Sequence, residues 1–357
     1  MQNFYKNKKV LITGHSGFKG SWLAQILVNW GADVIGISLP PDTKPSLFEV
    51  LKLSDRIKKN YFVDIRDFQK LKEIFETEKP EIVFHLAAQP LVRDSYDDPL
   101  KTHSTNVIGT ANILQVIKEF GGVKSAVIIT TDKVYENKER DYSYKETDAL
   151  GGYDPYSASK AAADIVTNSY IQSFFNPNDF GSKHNTLIAV ARAGNVIGGG
   201  DWAKDRLVPD MIKAIFEKKE ALVIRNPKAV RPWQHVFEPL RGYLMLGQYL
   251  YNGETNKSGA WNFGPCEEDF VSVEHLIKEG ILILGTGNYN IVEDNSKHEA
   301  NLLKLNINKA ATNLNWFPKW VLKESLKATF EWYGQFCKGS EKMMDITDQQ
   351  INLYFSN

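Results

Sequence analysis

At 357 residues, with 43% apolar and 24% charged side chains, the chain is too long for one small core and too ordinary in composition for a disordered or fibrous protein. Lys+Arg and Asp+Glu both total 43, so the net charge is zero, which excludes the basic footprint of a nucleic-acid binder and leaves any anionic ligand to a few well-placed groups. Two cysteines, Cys266 and Cys337, exclude a disulfide framework and suit a reducing, cytoplasmic setting, while histidines never paired at a helical ligand spacing predict no metal.

The polar stretch Met1–Lys9 runs straight into a strand and does not read as a signal peptide. No apolar run approaches the roughly 18–20 residues needed to span a bilayer. Strands are predicted at Val10–Thr13, Val34–Ser38, Tyr61–Val63, Ile82–Ala87, Ala126–Thr131 and Leu187–Ala191. These runs are nearly continuous in apolar residues, the pattern of parallel strands buried on both faces. Helices are predicted between them at Ser21–Trp30, Phe68–Glu78, Asn106–Phe120 and Tyr156–Phe175. Such alternation predicts an α/β fold with a doubly wound parallel Rossmann sheet. Beyond Gly194 the texture is more irregular, with helices at Val208–Glu217, Val236–Tyr251 and Val273–Leu284. The expected division is a dinucleotide-binding domain over 1–195 and a smaller substrate lobe over 196–357, some segments of which return to the sheet.

The first strand leads into Gly14-His15-Ser16-Gly17-Phe18-Lys19-Gly20 and then a helix. That arrangement aims main-chain N–H groups and a positive helix end at a pyrophosphate. The second strand ends Ile37-Ser38-Leu39-Pro40, with neither the carboxylate expected for an adenosine ribose nor an arginine for a 2′-phosphate. The motif therefore leaves NAD against NADP open. Asp64 and Ile65, after the third strand, are candidates for the adenine, or a solvated strand end.

Thr130-Thr131-Asp132-Lys133 closes the fifth strand at the carboxyl edge, where such sheets hold ligands. Asp132 is a candidate acid, Lys133 a candidate base and Thr131 a partner for a substrate hydroxyl. Tyr156 and Lys160 stand at i and i+4, about one helical turn apart. An ammonium beside a phenol is expected to lower its pKa and make Tyr156 a base.

Together these features resemble the extended short-chain dehydrogenase/reductase superfamily. Within it, the chain is similar to the CDP-glucose 4,6-dehydratases. The stretches that carry the likeness include Gly14 to Trp22, Ala87-Ala-Gln-Pro-Leu-Val-Arg93, Gly151 to Tyr156, Arg192 to Trp202, Asp205 to Asp210 and Arg231-Pro-Trp-Gln-His-Val-Phe-Glu-Pro-Leu240. The resemblance implies NAD as cofactor, held by Gly14, His15, Gly17, Phe18, Gly20, Asp64, Ile65, Ala87, Tyr156 and Lys160. It implies CDP-glucose or a related nucleotide sugar as substrate, with Gln89, Arg93, Asn195, Arg206, Arg231 and His235 as candidate contacts. It implies loss of water by internal hydride transfer from C4 to C6, with Thr131, Asp132, Lys133, Tyr156 and Lys160 as the catalytic set. It also implies a homodimer or homotetramer that pairs through the long helices, and a place in deoxysugar and polysaccharide biosynthesis.

Overall fold

The computed structural model describes residues 1–292 and 303–356; His298 lies outside them. Its centre is a seven-stranded sheet whose strands all run parallel. In chain order the elements that build it are β1 (Lys9–Thr13), α1 (Phe18–Asn29), β2 (Asp33–Ser38), β3 (Lys59–Phe62), α2 (Phe68–Glu78), β4 (Ile82–His85), α3 (Gly109–Phe120), β5 (Ser125–Ile129), α4 (Pro155–Phe174), β6 (Leu187–Ala193), α5 (Phe237–Tyr251) and β7 (Gly259–Phe263). The spatial order is β7-β6-β5-β4-β1-β2-β3. The strand order reverses beside β1, and that switch point opens a crevice at the carboxyl edge.

Five of the strands, β1, β2, β4, β5 and β6, face two cores, which is why their runs show no alternation, whereas the edge strand β3, predicted to be buried on both faces, is half-exposed. Val10 and Ile12 of β1 pack with Trp22, Leu23 and Ile26 on one side. Leu11 packs with Ile35, Val83 and Ile117 on the other. In β5, Val127 and Ile129 join the first core, and Ala126 and Ile128 the second.

Several boundaries differ from expectation for local reasons. β4 stops at His85 rather than Ala87 and β5 at Ile129 rather than Thr131, because the chain turns away at the carboxyl edge. The helix expected from Asn106 is α-helical only from Gly109, after a π-helical turn at Ser104–Ile108. The helix expected over 208–217 likewise divides into an α-helical part, Leu207–Ile212, and a π-helical turn, Lys213–Lys218.

Residues after 196 do more than form an appendage. α5 packs on the sheet, β7 pairs with β6, and α6 (Val273–Leu284) packs against α7 (Leu322–Cys337). Strand β7, α7 and α8 (Met343–Phe355) were not anticipated from the sequence. Trp332 of α7 abuts Gly199, whose carbonyl accepts the Trp22 indole N–H at 2.9 Å. The glycine stretch at 198–200 is thus clasped between α1 and α7.

Candidate active site

The Gly-rich turn is held by close backbone approach. A Cβ on Gly14, where φ is +77°, would come within 2.7 Å of the Ala87 nitrogen, and one on Gly20 within 2.0 Å of the Gly14 carbonyl. Neither position admits another residue. Gly17 is different: it is exposed, caps α1 and meets only the Gly14 carbonyl, at 3.4 Å. The absence of a side chain there leaves the first-turn N–H groups of α1 accessible to a phosphate. At the end of β2 the Ser38 hydroxyl is buried without a hydrogen-bond partner. A bare helix start, cations behind it and an orphaned hydroxyl at the ribose end of the crevice are a donor set that fits a dinucleotide.

Two candidate cofactor side chains turn away from the crevice. The His15 ring is fully buried beneath β2, where it fills the space left by Gly36 and bonds Asn60 Oδ1 through Nε2 at 2.7 Å. The Ile65 side chain packs into the gap left by Gly109. The buried side chains of these two residues leave their main chains as the groups open to a ligand. Asp64 is ion-paired with Arg66 at 2.6 Å, and Phe18 opens α1 half-buried.

The turn after β5 brings together the acid–base candidates. Thr131 donates its hydroxyl to Asp132 Oδ1 at 2.9 Å, and its oxygen accepts the Lys133 N–H. Burial raises the Asp132 carboxyl, an effect opposed by Lys133, by the Thr131 hydrogen bond and by Lys19. A carboxyl raised in this way holds a proton more readily and suits a general acid. Gly194 makes room for it, since a Cβ there would lie 2.9 Å from Asp132 Oδ2.

α4 is capped by Asp154, whose carboxylate accepts the Ser157 N–H at 2.9 Å, with Pro155 at its first position. Tyr156 follows at once, so the cap fixes the phenol. Its hydroxyl lies beside Thr131, which brings the two candidate segments together. Burial pushes the phenol up to about 12, and the expectation of a lowered value is corrected by this structure. Lys160 does not offset that burial, since its Nζ donates to the Ile129 carbonyl at 2.8 Å. Burial, and then the Lys19 charge, bring Lys160 down to about 8.

Lys19 escaped the sequence reading. It sits inside the glycine turn, within the electrostatic reach of Asp132, Lys160, Arg206 and Asp201, and burial lowers it to about 8. The signal was a single lysine among small residues at a helix start.

The candidate substrate residues separate. Arg206 faces the centre: it pairs with Asp201 at 2.7 Å and interacts with Tyr156 and Lys19. Asn195 is exposed just beyond β6. Arg93 pairs with Asp205 at 2.6 Å, and neighbouring Lys204 pairs with Asp94 at 2.8 Å, so charges cross between the 93–94 and 204–205 segments. Arg231 lies on a two-stranded ribbon, Val230–Pro232 with Phe270–Ser272. Gln89 is committed to its own loop, donating to the Leu91 carbonyl and to the Thr102 hydroxyl, both at 3.0 Å, and accepting the Leu91 N–H. His235 is fully buried among Trp22, Phe237 and Trp320. For Gln89 and His235 these surroundings replace the expected ligand contacts with structural ones.

Comparison with known proteins places this geometry in context. The family model described as GDP-mannose 4,6 dehydratase matches residues 11–329. The chain is 46% identical over 356 residues to a CDP-glucose 4,6-dehydratase of Salmonella typhimurium, covering 99% of this chain and 98% of that protein. It is 27% identical to a UDP-glucuronate 4-epimerase of Thermodesulfobacterium geofontis, over 90% of this chain and 95% of the other. In fold it is similar to DesIV, a dTDP-glucose 4,6-dehydratase of Streptomyces venezuelae solved with NAD bound. That similarity has a TM-score of 0.77 at 23% identity, and covers 94% of this chain and 99% of that one.

Proposed function

The chain belongs to the GDP-mannose 4,6-dehydratase family, and we propose that it converts CDP-glucose to CDP-4-keto-6-deoxyglucose and water. The observation that carries this reading is the pairing of Tyr156 and Lys160 with a raised carboxyl, Asp132, across the Thr131 hydroxyl. A net dehydrogenase or a 4-epimerase needs the first pair but has no use for an acid aimed at a leaving hydroxyl.

NAD, when bound, supplies the hydride acceptor for C4 and the donor for C6. The Gly14–Gly20 turn and the main chain at Asp64, Ile65 and Ala87 hold it. Tyr156 takes the C4 hydroxyl proton, and Lys160, one turn along the same helix, would hold the nicotinamide ribose. Lys133 removes the C5 proton that a C4 ketone makes acidic, and Asp132 gives its proton to the departing C6 hydroxyl. Arg206, with Arg93, Asn195 and Arg231, serves the nucleotide diphosphate, for which the planar guanidinium fork is suited.

We assign residues 196–357 mainly to the substrate lobe. A cytoplasmic setting accords with the free thiols Cys266 and Cys337 and with the absence, among the described residues, of a helix long and apolar enough to cross a membrane. Exposed Ile108 and Ile165, just before α3 and on α4, support association of two copies through these helices.

The test is incubation with CDP-, dTDP-, UDP- and GDP-glucose, followed by mass. Loss of one water from the CDP sugar without net cofactor consumption supports the proposal. An unchanged mass with inverted C4 would make the protein an epimerase. Deuterium placed at C4 should reappear at C6, and its loss to solvent would refute the internal redox cycle.

A further inference from the structure

Asp164 lies on the same face of α4 as Tyr156 and Lys160, one turn beyond the lysine. It forms a two-pronged pair with Arg192 of β6: Arg192 Nε to Oδ2 at 2.7 Å and Nη2 to Oδ1 at 2.8 Å. Both side chains are only 4% exposed. The pair then reaches both ends of the catalytic turn. Thr130, just before it, donates its hydroxyl to Asp164 Oδ2 at 3.3 Å. Tyr135, just after it, accepts from Arg192 Nη1 at 2.8 Å and donates to Asn262 Oδ1 of β7 at 2.8 Å. The mechanism uses none of these five side chains.

We infer that Asp164 and Arg192 are positioning residues that lock the helix carrying Tyr156 and Lys160 to the strand end carrying Thr131, Asp132 and Lys133. Dehydration needs both halves aligned on one sugar, the first at C4 and the second at C5 and C6. A buried ion pair adds little net stability, because desolvating two charges offsets their attraction. Its geometry is specific, however, and here it spans the two segments whose separation the chemistry must hold fixed. The inference rests on the proposed dehydration only for its kinetic readout.

Two variants test it, and a third, Asp164→Asn, is set aside. Tyr135→Phe frees only the far end of the turn. Asp164→Asn strikes both halves but leaves Arg192 buried without its counter-charge, and it risks unfolding. Asp164→Leu combined with Arg192→Met removes the pair without orphaning a charge. In Tyr135→Phe we expect exchange of the substrate C5 proton to slow roughly tenfold while transient cofactor reduction, the C4 step, keeps its parent rate. In the double variant we expect a folded protein with kcat down roughly tenfold to a hundredfold and an unaltered KM. Amide exchange over residues 131–135, measured with NAD alone, should quicken in both. Equal slowing of both steps in Tyr135→Phe, or a folded double variant with parent kcat, would overturn the inference. If the parent turns over no nucleotide sugar, the functional reading fails, and the amide-exchange arm still decides: unchanged protection of 131–135 sinks the lock, and lost protection supports it.

Discussion

Tyr333 grips Asp201 by its main chain: the phenol oxygen accepts the Asp201 N–H at 3.0 Å and donates to the Asp201 carbonyl. Asp201 in turn aims Arg206 at the reacting centre. Helix α7, far along the chain, therefore sets the pose of the arginine proposed to meet the nucleotide diphosphate. Tyr333→Phe would strip two buried main-chain groups of their partner and destabilise the fold by about 1–3 kcal/mol. We expect a several-fold rise in KM for the nucleotide sugar with little change in kcat, checked by steady-state kinetics beside thermal unfolding.

Gly194 sets the space available to the acid. Gly194→Ala would place a methyl group 2.9 Å from Asp132 Oδ2 and force the carboxyl aside. An ångström of misplacement can cost about a hundredfold in rate. Turnover should fall by that order while NAD affinity, measured by titration calorimetry, stays close to the parent value.

The Tyr156 phenol, proposed to take the C4 proton, is held up at about 12 without cofactor. It should therefore remain protonated through the neutral and mildly alkaline range. A positive nicotinamide bound beside it would favour the anion and lower that value. A difference titration of tyrosinate absorbance, parent minus Tyr156→Phe, should show no ionisation below about pH 10 in the free protein and an earlier one with NAD. Turnover by Tyr156→Phe should drop roughly a hundredfold or more, the usual scale of general base removal.

Burial lowers His85 and His235 to about 3 each, so both stay neutral in the fold and take up a proton only when it opens. Between about 3 and the ordinary value near 6.5, the unfolded chain binds more protons than the folded one, and stability falls as pH falls. The slope is up to about 1.4 kcal/mol per pH unit for each histidine. In His235→Phe, the loss of unfolding free energy from about pH 6.5 to about pH 5 should shrink by about 2 kcal/mol, read from urea midpoints.

The parallel strands were legible because burial on both faces leaves an unbroken apolar run, as in Ala126–Ile129. β7 was not, since its five residues, Gly259–Phe263, follow a turn and include the buried polar Asn262. Helices α7 and α8 carry their apolar faces to α1 and the 198–202 segment, partners too distant in sequence to be inferred. At the site, spacing alone paired Tyr156 with Lys160, and strand position gave Asp132. The electrostatic outcome was hidden, because the height of the phenol depends on burial and on where Lys160 points. His15 misled for a similar reason: its motif position suggests a ligand, but Gly36 opens a hole beneath the sheet that the ring fills.

The joining of α1 to α8 also bears on how the protein is made. Gln25 donates to Asp348 at 2.6 Å, Asn29 donates to the same carboxylate at 2.7 Å, and Trp30 packs edge-on against Phe355. On the ribosome, the helix that presents the phosphate turn emerges more than three hundred residues before the segment that covers its outer side. Until then that flank has no cover, so the packing around the phosphate turn is completed only when the last helix has been made.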